Sequence, residues 1–186
     1  MSKLSIFAEG NPHRAEVVHR DFDSIQSNLA AIGVAFERWE ASRELDAHAT
    51  QDEIIEAYRE SIDRLMHRYG FKAVDVISMT ADNPQKEAAR EKFLHEHTHD
   101  DFEVRFFVEG EGVFYIRTDA KVYAMHCLRG DLLCVPANTT HWFDMGPNPN
   151  LKAIRLFVNP QGWVPAFTGD DIADRFPRLD TLDRAA

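Results

Sequence analysis

One stretch of the sequence, residues 93–112 (FLHEHTHDDFEVRFFVEGEG), limits the possible folds more than any other. It holds His97, His99 and Glu103, and a further histidine, His141, follows downstream. Because successive side chains of a β-strand alternate between faces, His97 and His99 point the same way if the stretch is extended. Three imidazoles and a carboxylate are ligands that suit a divalent transition metal. The pattern therefore predicts a metal site built on β-strands.

The position of His141 indicates that the sheet closes on itself. Residues Val104–Val108 and Val113–Arg117 are predicted to be the two strands of a hairpin, with a turn at Glu109–Gly112. His141 falls in a separate, later strand, so it reaches the same metal only across a closed sheet. We therefore expect a small β-barrel with an interior site.

Short, evenly spaced β-strands make up most of the remaining prediction. They are separated by turn residues and are expected at residues 3–7, 34–39, 73–80, 93–99, 121–128, 132–135, 141–144 and 151–158. Strands of this length and spacing favour a barrel or a sandwich over an α/β sheet.

Two amphipathic helices are predicted ahead of the metal-site motif. Apolar residues recur at helical spacing over residues 22–32, where Asp23 or Ser24 is the candidate N-cap. A second, longer helix begins at the capping box Thr50–Glu53 and runs to Gly70. We expect this N-terminal helical region to pack against the outside of the barrel.

Composition limits the class of protein. A hydrophobic content of 44% and a charged content of 28% indicate a globular chain, and 186 residues suit one domain spanning residues 1–186. The formal net charge of −10 disfavours nucleic acid and anionic membranes as partners. We expect no membrane-spanning segment and no signal peptide. Cys127 and Cys134 are expected to be reduced, which agrees with a cytoplasmic protein.

The histidine-rich stretch and the segment that ends at His141 resemble the two motifs of the cupin superfamily. The matching residues share the spacing of those motifs, His97-x-His99-x3-Glu103-x6-Gly110 and Gly130-x5-Pro136-x-Asn138-x2-His141. Glu91 and Met145 depart from the pattern, since cupins often have glycine and asparagine there. The resemblance implies a cupin-type β-barrel, or jelly roll, that is mostly β with flanking helices.

Longer phrases resemble the acireductone dioxygenase family of the methionine salvage pathway. They are FLHEHTH at residues 93–99, DFEVRFFVEGEG at residues 101–112 and PANTTHWF at residues 136–143. The resemblance implies an oxidoreductase that cleaves the acireductone 1,2-dihydroxy-5-(methylthio)pent-1-en-3-one with O2. With iron the implied products are formate and 4-methylthio-2-oxobutanoate. With nickel they are formate, CO and 3-methylthiopropionate.

The same resemblance implies roles for individual residues and a monomeric state. The implied ligands of one Fe2+ or Ni2+ per chain are His97, His99, Glu103 and His141. The residues with implied catalytic roles are Arg105, Glu96 and Phe102, of which Arg105 is tied to formation of the substrate dianion. Glu96 and Phe102 have opposite parity to the ligands, so their roles rest on the resemblance alone.

The chemistry of the residues agrees with the roles implied for the ligands and Arg105. Four protein ligands leave two positions of an octahedral metal for a substrate with two adjacent enolate oxygens. Arg105 lies two residues from Glu103 on a predicted strand, so its guanidinium should share the inward face and stabilise enediolate charge. Phe107 and Phe143 are candidate apolar walls for the methylthio tail.

Several residues and functions keep alternative interpretations. Arg105 could form a salt bridge only, Arg155 is interpreted as structural, and His95 is interpreted either as a residue that supports the ligands or as a rim residue. His48 is interpreted as structural or exposed. A cupin sugar-phosphate isomerase would need a basic cluster beside the motif, and a ligand-sensing cupin often carries a DNA-binding region. Neither feature is evident in the sequence, and dependence on O2 separates the alternatives from a dioxygenase.

Overall fold

The structure is a computed structural model that describes residues 1–41, 45, 49–159 and 164–185. Its strands are β1 (Lys3–Ala8), β2 (Val17–His19), β3 (Ala35–Arg38), β4 (Ala73–Thr80), β5 (His97–Thr98), β6 (Glu103–Thr118), β7 (Lys121–Leu128), β8 (Asp131–Val135), β9 (His141–Asp144), β10 (Asn150–Phe157) and β11 (Ala166–Phe167). Its α-helices are α1 (Phe22–Ala31), α2 (Gln51–Ala57), α3 (Arg59–Tyr69), α4 (Lys86–Leu94) and α5 (Ile172–Arg175). Within these ranges, no helix has the length and apolar character needed to cross a bilayer. His48 lies outside the described residues.

Two antiparallel sheets share strand β6. In the first sheet the strand order is β11-β5-β9-β6-β7-β1-β2, and in the second it is β3-β8-β6-β10-β4. One apolar cluster contains buried side chains from both sheets, so the sheets face each other across a common interior. The prediction of a mostly β, cupin-type barrel with flanking helices is confirmed.

The predicted hairpin at Glu109–Gly112 is wrong, because β6 continues through it as one 16-residue strand. The first half of β6 pairs with β8 and β10, and the second half pairs with β7 and β9. Gly110 has a φ of +75°, beside a register shift between Lys152 and Ala153 of β10. A Cβ at Gly110 would lie 1.6 Å from the carbonyl oxygen of Asn150. The glycines therefore mark a bulge at which the strand passes from one sheet to the other. A turn was predicted there because bulges and turns favour the same residues.

The alternation of side chains along β6 separates three apolar clusters. Arg105 and Phe107 point into the barrel, whereas Val104 and Phe106 point outward beneath α2 and α3. The outer cluster joins α2 and α3 to the second sheet, as predicted, whereas Ile25 and Leu29 of α1 belong to the interior cluster. A third cluster, which includes Phe176, packs the C-terminal residues onto the outside of the first sheet.

The helix predictions need three corrections. Asp21, rather than Asp23 or Ser24, is the N-cap of α1, because its side chain accepts the backbone N–H of Ser24. The longer predicted helix is divided at Tyr58 into α2 and α3. The predicted strand over residues 93–99 is helical up to Leu94, and only its end forms β5.

The capping box at the start of α2 gives a first stability prediction. Thr50 Oγ1 accepts the backbone N–H of Glu53, and the Glu53 carboxylate accepts the backbone N–H of Thr50 at 2.8 Å. We expect Thr50→Ala to lower the free energy of unfolding by about 1 kcal/mol, because it leaves helix N–H groups without an acceptor. Urea denaturation of the purified variant measures this loss. Thr50→Ser keeps the acceptor and is the control, so an equal loss in both variants would contradict the capping role.

Candidate metal centre

Three separate segments bring His97, His99, Glu103 and His141 together inside the barrel. His97 lies on β5 and faces His141 on β9, since these two residues are paired across the sheet. Glu103 begins β6, and His99 lies in the connection between β5 and β6. All four side chains are buried, and one potential ligand atom from each lies within 4.8 Å of the others. The sequence prediction that these residues converge therefore agrees with the geometry.

Each of the three histidines is oriented by a main-chain carbonyl. The acceptors of the Nδ1 atoms are His95 O for His97 at 2.7 Å, Val164 O for His99 at 3.3 Å and Thr139 O for His141 at 2.8 Å. A carbonyl oxygen only accepts, so Nδ1 carries the proton and donates in each case. The unprotonated Nε2 of a neutral ring is then free to bind a metal, as in most histidine-ligated sites.

The contacts of Glu103 indicate that a cation belongs between these groups. Glu103 Oε2 lies 3.0 Å from the Nε2 atoms of both His99 and His141. With Nδ1 protonated, each neutral Nε2 presents a lone pair to a carboxylate oxygen, and two acceptors at this distance repel each other. A divalent metal among them turns that repulsion into coordination. The donor set of three imidazoles and one carboxylate thus fits a transition metal.

Local electrostatics hold His97 and Glu103 in the protonation states that a metal requires. Burial, together with the neighbouring His141, lowers the pKa of His97 to about 4. Burial alone would raise the pKa of Glu103, but the Arg105 guanidinium, 2.9 Å from Glu103 Oε1, and the neighbouring His141 and His99 together outweigh burial and hold that pKa well below its usual range. Near neutral pH His97 is therefore neutral and Glu103 is ionised, as metal ligands must be.

Removal of the metal should destabilise the protein. Metal that binds only the folded state contributes about 2–4 kcal/mol at saturating concentration. We expect a chelator to lower the Tm of the loaded protein by roughly 4–16 °C, as such an energy does in a chain of this size. Differential scanning calorimetry with and without chelator measures the change. Identical melting curves would contradict a tight metal site.

A cavity of about 270 Å3 opens onto His97, His99 and Glu103. Its apolar lining within the described residues comes from Ala89, Phe93 and Pro165. Phe107 and Phe143, the apolar walls predicted from sequence, lie in the interior cluster instead. Phe143 packs its ring against Arg105, whose guanidinium carbon lies 4.3 Å from the ring centroid.

Three cations, Lys92, Arg105 and Arg155, also line this cavity. Lys92 lies on α4, five residues before His97, whereas Arg155 comes from the distant strand β10, so only the fold brings the three cations together. Arg155 pairs with both carboxylate oxygens of Asp75, at 2.6 and 2.8 Å, which agrees with its structural interpretation. Arg105 forms the salt bridge that was the alternative interpretation of this residue, and its partner is Glu103, one of the four clustered residues.

Comparison with known proteins decides the family. The model of the ARD/ARD' family matches residues 3–165. The chain belongs to the ARD/ARD' family. The acireductone dioxygenase of Marinobacter nauticus is 54% identical over 182 residues, which is 98% of either chain. That of Methylococcus capsulatus is 55% identical over 180 residues, covering 97% of this chain and 96% of the relative.

A solved member of the ARD/ARD' family has the same architecture. The acireductone dioxygenase from Bacillus anthracis with a cadmium ion in its active centre superimposes with a TM-score of 0.79 at 32% identity. The match covers 90% of this chain and 98% of that protein. A metal in the active centre of this relative agrees with the metal site derived above from hydrogen bonds alone.

Two further residues that the family resemblance implies, Glu96 and Phe102, point away from the metal centre. The Glu96 carboxylate is buried and contacts Arg117 and Thr168 on the other side of β5. The Phe102 ring lies 6.3 Å from that of Phe71, beside the outer cluster. His95 is exposed at the edge, as expected of a rim residue. Sequence reasoning did not identify Arg117 or Thr168, because neither lies in a motif.

Proposed function

We propose that this protein is a metal-dependent dioxygenase that cleaves 1,2-dihydroxy-5-(methylthio)pent-1-en-3-one with O2 in L-methionine salvage. The observation that carries the proposal is the convergence of three histidines and one carboxylate beside a small cavity, which His97, His99 and Glu103 line. The relatives that match nearly the whole chain support the choice of substrate, because they are acireductone dioxygenases.

We propose that His97, His99, Glu103 and His141 bind one Fe2+ or Ni2+ per chain. Nitrogen and oxygen sites of this kind generally bind nickel more tightly than ferrous iron, so metal supply decides which ion is present. With iron the products are formate and 4-methylthio-2-oxobutanoate, and with nickel they are formate, CO and 3-methylthiopropionate. The support for both metals is the donor set itself, together with the family resemblance.

Arg105 has the position to bind and orient the substrate enolate. A bound metal supplies Lewis acidity and two coordination positions for adjacent oxygens. The Arg105 guanidinium faces the same cavity and packs over the ring of Phe143, so its charge is oriented before substrate arrives. Its contact with Glu103 also keeps that carboxylate ionised. The apolar lining at Phe93 and Pro165 suits the methylthio tail.

Replacement of Arg105 tests this role. We expect Arg105→Ala to lower kcat/KM by about 10–100-fold, the range seen when a group that supports a metal ligand is removed. Bound metal, measured by atomic absorption, should remain above half-occupancy at saturating metal. Arg38→Ala removes an arginine of β3 outside this cavity and should leave kcat/KM unchanged. Unaltered turnover in Arg105→Ala with metal bound would contradict the proposed role.

Oxygen uptake tests the reaction class. An oxygen electrode should record one O2 consumed for each acireductone that disappears, above the spontaneous rate only with metal-loaded protein. A sugar-phosphate isomerase or a ligand-sensing protein consumes none. Two of the three cations of the cavity, Arg105 and Arg155, are paired with Glu103 and Asp75, which disfavours a phosphate site. Substrate loss without oxygen uptake would exclude the dioxygenase.

We also propose that the protein acts in the cytoplasm as a monomer. Cys127 and Cys134 are both free and buried, which suits a reducing compartment. The large apolar side chains exposed in the described part of the chain are few and do not belong to one element; they are Met1, Val17, Val164 and Phe167. Such scattered residues are ordinary surface features and do not form an obligate interface.

A further inference from the structure

Strand β5 carries His97 but is only two residues long. It pairs with β9 at one position, His97 with His141. It pairs with β11 at two positions, His97 with Phe167 and Thr98 with Ala166. A strand this short has few ladder hydrogen bonds of its own. The position of His97 therefore depends on the contacts that hold the neighbouring residues in place.

The residue before His97 is held from the side opposite the metal. Glu96 is 2% exposed, and its Oε1 accepts a hydrogen bond from Thr168 Oγ1 at 2.7 Å. The carbonyl oxygen of Glu96 accepts the backbone N–H of Thr168 at 3.1 Å. Arg117 Nη1 contacts the same carboxylate, at 3.2 Å from Oε1 and 3.1 Å from Oε2. Thr168 and Arg117 therefore fix both the main chain and the side chain of Glu96.

Arg117 also reaches the strand that carries His141. Its backbone N–H donates to the carbonyl oxygen of Thr140, the residue before His141, at 2.9 Å. Its guanidinium is held in place by Glu9 at 2.6 Å and by Asp170 at 2.9 Å. One residue thus connects the neighbours of two proposed metal ligands, through its main chain on one side and its side chain on the other.

We propose that Arg117 and Thr168 are positioning residues that set metal affinity. Through Glu96 they fix the strand of His97 relative to the strand of His141, so that both Nε2 atoms meet one ion. Thr168 lies beyond residue 165, where the match to the family model ends. Because Thr168 is hydrogen-bonded to Glu96, the C-terminal segment takes part in holding the metal centre. The inference rests on the proposed metal centre and not on the proposed reaction.

Metal affinity is the readout that tests this inference. We expect Thr168→Val, which keeps the shape but removes the hydroxyl, and Arg117→Gln to bind Ni2+ about 10–100-fold more weakly, as when a group that supports a ligand is lost. Competition with a chromophoric chelator measures the affinity. The spectrum of the Co2+-loaded protein should also change, because the ligand geometry changes. At saturating metal, kcat should return to near the wild-type value.

Three comparisons separate positioning from general stability. Thr168→Ser keeps the hydroxyl and should restore Ni2+ affinity. Lys121 lies on β7, forms an ion pair with Glu16 and contacts neither Glu96 nor a proposed ligand. Lys121→Gln removes that ion pair and should leave the Ni2+ affinity unchanged. The Tm of each metal-free variant shows how much stability it has lost.

The Ni2+ affinities of the variants decide whether Arg117 and Thr168 position the metal centre. Ni2+ affinity within twofold of wild type in Thr168→Val and Arg117→Gln would overturn it, even if their metal-free Tm falls. If Arg117→Gln does not fold, Thr168→Val decides alone. Failure of the wild-type protein to bind Ni2+ would instead refute the metal centre itself. Absence of turnover in protein that binds Ni2+ tightly would refute only the proposed reaction.

Discussion

His141→Ala is expected to abolish both tight metal binding and turnover. His141 lies at the meeting point of the site, 3.0 Å from Glu103 and paired with His97 across the sheet. Its loss removes one of the four proposed ligands and also opens space beside the other three. We expect activity to fall by more than about 100-fold, since loss of a group that merely supports a ligand already costs about 10–100-fold.

The control for this prediction is a histidine outside the barrel. His126 on β7 contacts Glu111 at the surface, so His126→Ala should retain metal content and kcat/KM. Metal content by atomic absorption and turnover with acireductone are measured on both variants. If His141→Ala binds stoichiometric metal with wild-type affinity, the assignment of His141 as a ligand is wrong.

Asp144→Asn is expected to cause the largest loss of stability of any substitution proposed outside the metal centre. Asp144 is fully buried and accepts two hydrogen bonds from Arg90, at 2.7 and 3.1 Å. It also accepts the backbone N–H groups of Gly146 at 2.8 Å and Leu179 at 2.9 Å. This carboxylate therefore joins α4, β9 and the C-terminal segment. Removing one charge of such a pair leaves the other uncompensated and costs about 3–5 kcal/mol.

The expected loss has a definite pH dependence. Burial alone would raise the pKa of Asp144, but the Arg90 guanidinium and the two backbone N–H groups outweigh burial and lower it. A carboxyl with a lowered pKa in the folded state stabilises the protein above its unfolded pKa of about 3.9. That contribution disappears as pH falls through the folded pKa. The difference between wild type and Asp144→Asn should therefore be full at pH 7 and should shrink below about pH 4.

Urea denaturation of metal-free protein at several pH values checks this result. Asp63→Asn is the control, because Asp63 lies on the exposed face of α3 and such surface changes stay within about 0.5 kcal/mol. A loss in Asp144→Asn no larger than in Asp63→Asn would show that the buried ion pair does not stabilise the fold. A loss that is constant down to pH 2 would contradict the role of its charge.

The metal centre could be derived from the sequence because its information is local. His97, His99 and Glu103 lie within seven residues, strand alternation predicts one face for His97 and His99, and a turn before β6 brings Glu103 back to them. The long-range member, His141, was grouped with them by its residue type and motif, and that grouping predicted the closed sheet. The capping box at Thr50 is local for the same reason and was also predicted.

Features that depend on remote partners could not be derived in this way. Arg155 meets Asp75 across 80 positions of the sequence, and Thr168 meets Glu96 across 72. No periodicity connects such pairs, because the sheet brings them together only after it closes. The continuity of β6 was missed for a different reason. Glycine permits a turn and a bulge equally well. The close approach of Gly110 to Asn150 of β10 decides between them, and the sequence does not show it.

Decay of the acireductone absorbance in air tests the central claim most directly. Metal-stripped protein is reloaded separately with Fe2+ and with Ni2+, and His97→Ala is treated in the same way. We predict rapid decay with either metal, none above the spontaneous rate in His97→Ala, and CO from the nickel sample only. Decay no faster than the spontaneous rate with both metals would contradict the assignment of this site to acireductone oxidation.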